Sequence, residues 1–73
     1  MSRLPQISAK KCVRALRKAG FRVVRQRSSH IILRRDTPFA QVVVPAHKEL
    51  DRGTLRAIVR QAGLSVSEFI KLL

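Results

Sequence analysis

The chain has no Trp, no Tyr, three Phe and a single Cys among its 73 residues. Without an aromatic platform it cannot hold splayed bases by stacking on any scale, so contact with nucleic acid must rest on Arg and Lys. Cys12 stands alone, which excludes an internal disulfide and a Cys-based metal site and makes a reducing cytoplasm the natural compartment. Two His and one Cys do not form a recognisable zinc set, and no metal or other cofactor is expected. Gly20, Gly53 and Gly63 are isolated from one another, so there is no glycine-rich phosphate loop. No apolar stretch approaches the roughly 18 residues of a bilayer span. The opening Met1-Ser2-Arg3-Leu4-Pro5-Gln6 lacks the apolar centre of a signal peptide, and no membrane association is expected. Acids are scarce as well. Asp36, Glu49, Asp51 and Glu68 fall in predicted loops or near helix starts, where capping accounts for the last two better than catalysis does.

What the chain has is positive charge. Sixteen Lys and Arg against four Asp and Glu give a net charge of +12. Self-repulsion on that scale opposes folding and is best tolerated beside a polyanion, whether a nucleic acid, an anionic surface or an acidic protein. Hydrophobic content of 45% is ordinary for a globular protein. The length allows one domain, residues 1–73, which buries only about 60% of its unfolded surface and folds with a thin margin.

Periodicity divides the chain into six elements. Ser8 is a suitable N-cap for a helix whose Ala9, Cys12, Val13, Leu16 and Ala19 recur at helical spacing. Ile7 and Cys12 are placed as a hydrophobic staple, and Gly20 is a natural stop. Lys10, Arg14, Arg17 and Lys18 make the opposite side of this helix basic. From Phe21 the pattern shortens and becomes rich in β-branched residues: 21–27, 30–34 and 39–44 read as strands. Ser28-Ser29 and Asp36-Thr37-Pro38 separate them, which predicts two hairpins and an antiparallel meander closed by Pro45. Asp51 can cap a second helix with the apolar stripe Leu55, Ile58, Val59 and Ala62, ended by Gly63. Arg52, Arg56 and Arg60 line another side of it. Ser65-Val66-Ser67-Glu68 is a capping box, with Leu64 and Phe69 as a staple, so a short third helix should reach Leu73. The expected class is α+β, an α-β-β-β-α sandwich with a short extra C-terminal helix and both main helices on one face of the sheet.

Among reactions, RNA cleavage suits so sparse an inventory. The ribose 2′-hydroxyl is the nucleophile, so a protein need supply only a proton acceptor, a proton donor and positive charge at the phosphate. Histidine titrates near neutral pH, and Arg holds phosphate oxygens bidentately. His30 opens the second strand beside the Ser28-Ser29 turn, with Arg25, Arg27, Arg34 and Arg35 on the flanking strands. Plainer readings compete with this one. A histidine at a strand start is commonly an ordinary surface residue, His47 reads as a loop residue, and an arginine stripe is often a solvated helix face. That stripe has few acids to balance it, which favours anion binding for part of the basic surface. Ser28 and Ser29 read as turn residues, with no base held against either to make a nucleophile.

Taken together, the residues resemble a known family. Gly20-Phe21 followed by Val24-Arg25-Gln26-Arg27-Ser28-Ser29-His30 is similar to the aromatic-to-histidine segment of HicA toxins. Val42-Val43-Val44-Pro45, His47-Lys48-Glu49-Leu50, Gly53-Thr54-Leu55-Arg56 and Gln61-Ala62-Gly63-Leu64 follow in the family's order and spacing, so the resemblance runs from Ser8 to Phe69. It implies a fold like that of double-stranded-RNA-binding domains and an mRNA interferase that cuts RNA with a single histidine, here His30. It also implies an acidic HicB-type antitoxin that covers the histidine, the pair repressing its own operon through the antitoxin. One position departs from the family, which commonly has Gly where this chain has Ser28. If that turn needed a positive φ, serine would carry a strain of about 1–2 kcal/mol. Arg25, Arg27, Arg34 and Lys48 are the expected phosphate contacts, with Ser29 and Arg56 completing the RNA-binding set. Whether His30 acts as acid, as base or as both in turn stays open at this level. Two rival readings remain: a non-catalytic RNA-binding module of the same fold, and a basic subunit whose charge serves only an acidic protein partner.

Overall fold

A computed structural model describes residues 3–73, so the N-terminal reading that begins at Met1-Ser2 lies partly outside the described residues. The order is α1 (Ala9–Lys18), β1 (Arg22–Gln26), β2 (His30–Asp36), β3 (Phe39–Pro45), α2 (Arg52–Gln61) and α3 (Val66–Leu72). This is the α-β-β-β-α sandwich with an added C-terminal helix, compatible with the double-stranded-RNA-binding type of fold. Each helix starts at the residue whose side chain can cap it. Ser8 accepts the Lys11 amide, Asp51 accepts the Thr54 amide at 2.8 Å, and Ser65 and Glu68 close a reciprocal capping box. Those bonds hold the Asp51 carboxyl below the usual range, through the Thr54 amide first, and the Glu68 carboxyl likewise through the Ser65 amide. The first two helices end at glycines with positive φ, Gly20 at +97° and Gly63 at +75°. The amides that follow, of Phe21 and Leu64, donate back to Leu16 and Val59, the Schellman closure.

The three strands form one antiparallel sheet in the order β1-β2-β3. Leu33 pairs with Val23 on one side and Val42 on the other, and these three point toward the helices. They meet Leu16, Leu50, Leu55, Ile58 and Phe69 in a core from which polar side chains are excluded among the described residues. Burial pushes the Cys12 thiol up to about 12, which leaves it a small inert hydrophobe. Among the described residues no helix is long and apolar enough to cross a membrane.

The β1–β2 pairing carries a feature that periodicity does not reveal. The register shifts between Val23 and Arg25, so Val24 is an unpaired bulge residue. Arg25 then pairs with Ile32 and Gln26 with Ile31. In register with the hairpin, Arg25 shares the outer face with His30 and Ile32, and Gln26 takes the inward place beside Ile31. The bulge returns Val23, the pair of Leu33, to the side of the helices.

Candidate active site

His30 is the first residue of β2, opposite Pro45 of β3. Its carbonyl accepts the Arg27 amide at 2.8 Å, closing the hairpin around Ser28-Ser29. No residue other than glycine has a positive φ among those described, so Ser28 sits in its turn without left-handed strain. The expected cost of replacing the family's glycine is therefore absent. The imidazole is exposed, and its Nδ1 lies 3.0 Å from the Ser29 hydroxyl. That contact occupies Nδ1 and leaves Nε2 without a protein partner among the described residues. Arg27 is His30's cross-strand neighbour, and Arg25 lies one pair further along the same face. Neither guanidinium has a protein partner among the described residues.

The other end of the same strand is arranged differently. Arg34 lies on the outer face, about 13 Å of strand away from His30. It donates from Nε and Nη2 to the Gln41 side-chain oxygen, at 3.1 and 3.0 Å. Arg22 pairs with Asp36 at 2.8 Å. Arg35 belongs to the opposite face, because successive strand residues alternate, and so it leaves the field around His30 that its sequence position suggested. It donates to the carbonyls of Pro38, Ala19 and Ala62, the last two being the C-caps of α1 and α2. Its guanidinium also lies 4.7 Å from the centre of the Phe21 ring. Positive charge at two helix C-termini is favourable, and this arginine holds the helical layer to the sheet.

Beyond Pro45 the chain passes around the end of the sheet. The Ala46 amide donates to the Ser29 carbonyl at 2.9 Å, and the His47 carbonyl accepts the Ala9 amide at the start of α1. Here α1, the inner side of β1 and β2, and the 46–48 loop enclose an open groove of about 590 Å³. His47 and Lys48 line it together with Lys10 and Arg17 of α1. His47 is a loop residue, as its position implies, and its meeting with the basic side of α1 is not written in local periodicity. The signal that a groove would join them lay in the short Pro45–Leu50 connection, which brings the end of β3 back to Ile7 and Ala9. Arg56 is exposed on α2, in the layer behind the sheet, and is not brought to His30. Among the described residues no group of three or more His, Cys, Asp or Glu side chains is placed to hold a metal ion.

A family model described as the HicA toxin of bacterial toxin-antitoxin systems matches residues 9–64. The chain belongs to the HicA toxin family. The matched segment runs from the first residue of α1 to Leu64, just past the end of α2, and so takes in the whole sheet, His30 and every residue lining the groove but Ser8. Helix α3 lies outside the match, yet its Phe69 is fully buried in the core of this HicA-family chain. Membership in a toxin-antitoxin family implies an antitoxin partner. No curated protein matches the chain.

Proposed function

We propose that this toxin is an endoribonuclease, an mRNA interferase acting in the cytoplasm, in which His30 transfers the proton and an acidic HicB-type antitoxin neutralises it. The observation that carries the reading is the setting of His30. Its imidazole is exposed and held at Nδ1 by Ser29, at the end of the sheet where Arg25 and Arg27 are unpartnered. When Nδ1–H donates to the Ser29 hydroxyl, Nε2 carries the lone pair and is a base. It removes the 2′-hydroxyl proton, the 2′-oxygen bonds to phosphorus, and the bond from phosphorus to the 5′-oxygen breaks. The imidazolium then returns the proton to that leaving oxygen, giving a 2′,3′-cyclic phosphate and a 5′-hydroxyl. Arg25 and Arg27 are placed for the phosphate oxygens, where charge builds in the transition state, and Lys48 extends the positive field around the end of the sheet. Ser29 positions His30. Arg34 and Arg56 stand further off and would meet only flanking parts of a longer RNA.

The antitoxin assignment rests on charge and exposed apolar surface together. Val24, Val43 and Phe39 are exposed, Phe39 at 68%. Val43 is the pair of Ile32 and so shares the face of His30. A protein covering this face would bury the apolar surface and occlude the imidazole at once, and an acidic one would associate fast with a chain of charge +12.

Cleavage of a long single-stranded RNA by the purified chain, beside His30→Ala of matched thermal stability, tests the reading. The variant should retain RNA binding and cut at least about a hundredfold more slowly. Equal cutting by both would place the chemistry elsewhere. Binding without cutting by either protein would leave a non-catalytic RNA-binding module.

A further inference from the structure

The groove behind the sheet is built for more than its position at the end of β3 requires. Its floor is apolar, made by Val13 of α1, Val23 of β1 and Ile31 of β2. Its rim carries Lys10, Arg17 and Lys48, and no carboxylate lines it. Gln26 also lines it, because it pairs with Ile31 and so faces inward. An apolar floor, one amide with both donor and acceptor, and a cationic rim match the three parts of a nucleotide: the base face, the base edge and the phosphate. A purely acidic peptide would satisfy the rim and leave the floor and the amide unused.

The groove is also joined to the proposed cleavage centre. The Ser29 carbonyl accepts the Ala46 amide, so the residue before His30 is bonded to the residue before His47. His47 is two residues beyond Pro45, the partner of His30, or about 7 Å of chain. One RNA strand can therefore lie against both sites as it rounds the end of the sheet.

We propose that this groove is a base-binding subsite, which takes an unpaired nucleotide next to the scissile phosphate and sets which bases are accepted there. Gln26 reads the base edge, Val13, Val23 and Ile31 hold its face, and Lys10, Arg17, His47 and Lys48 line the path of the adjoining backbone. A base in a duplex cannot enter without leaving its stack, so the subsite selects single-stranded RNA. The inference rests on the ribonuclease reading and extends it to substrate choice.

Two variants test it. Ala46→Phe fills the groove from an exposed loop position and leaves the Ala46 amide free to keep its bond to Ser29. Gln26→Ala removes the amide from an exposed strand residue. On the His30→Ala background, Ala46→Phe should weaken binding of a short single-stranded RNA by about tenfold, with no change for the same sequence as a blunt duplex. In the chain that retains His30, Gln26→Ala should redistribute cleavage sites among base identities when the products of a random-sequence RNA pool are sequenced. Should Ala46→Phe fail to fold, Gln26→Ala decides the matter alone. Unchanged affinity and unchanged site preference in folded variants would overturn the subsite while leaving the ribonuclease reading standing. A parent chain that neither binds nor cuts RNA would overturn both. Loss of antitoxin binding in Ala46→Phe with RNA binding intact would assign the groove to the protein partner and overturn the proposal.

Discussion

At the Asp36 end of β2 each guanidinium has a protein partner, whereas at the His30 end those of Arg25 and Arg27 have none among the described residues. Arg22 is paired with Asp36, Arg34 with Gln41, and Arg35 with three backbone carbonyls and the Phe21 ring. Composition treats these five arginines alike. Their settings divide them into residues that hold the fold together and residues whose hydrogen-bonding capacity no protein group uses among the described residues. The +12 charge is thus not spread evenly in its consequences. One end of the sheet uses cations for architecture, and the other presents them beside an oriented imidazole.

The comparison can be broken at its architectural end first. Arg35→Ala should cost about 2–4 kcal/mol of stability, because two partly buried helix-terminal carbonyls lose their donor along with the cation–π contact. Chemical denaturation should show the loss, and Arg25→Ala measured alongside should stay within about 0.5 kcal/mol of the parent. Arg35→Lys should recover little of it, since an ammonium cannot serve three divergent acceptors. At the proposed catalytic end, Ser29→Ala should lower kcat about tenfold with KM nearly unchanged, because it frees the imidazole without touching the cations proposed to bind RNA. A smaller effect separates the helical layer from both ends. The Asp51 and Glu68 carboxyls are lowered by their cap bonds, so their contribution to stability is complete above the ordinary carboxylate range, about pH 4 to 5. It is lost as pH falls through the lowered values. Asp51→Asn keeps a capping oxygen but no longer titrates, and should flatten the acid side of the unfolding profile measured by circular dichroism.

These arrangements were legible in the sequence to different depths. Helix starts and stops are local events, written within a few residues. Ser8, Asp51, Ser65, Gly20 and Gly63 each do what their spacing implied. The two hairpins were legible for the same reason, although β2 and β3 run slightly longer than the pattern suggested, as far as Asp36 and Pro45. His30 stood out because histidines are few. The neighbours of His30 were harder to read, since side-chain direction on a strand depends on register. Arg35 is an odd number of residues from His30 and so faces away, a signal the alternation rule contains. Arg25 is also an odd number of residues from His30 and yet shares its face, because the hairpin pairs it with Ile32, while the bulge at Val24 lies beyond it and turns Val23 toward the core. Nothing in Val23-Val24-Arg25 marks that bulge. The groove was less legible still, being assembled from α1, β1, β2 and a loop that come together only in the folded chain.

The most direct test of the division between the two ends is a pair of double charge reversals, Arg25→Glu with Arg27→Glu against Arg22→Glu with Arg34→Glu. Each pair changes the net charge equally, so RNA cleavage and thermal stability can be compared without a difference in overall electrostatics. The account predicts that the first pair abolishes RNA binding and cleavage while the fold melts near the parent temperature. The second pair should bind and cut RNA measurably while melting lower, having lost the contacts to Asp36 and Gln41. Equal loss of RNA cleavage in both pairs, with equal stability, would contradict it and return the chain to a uniformly basic surface.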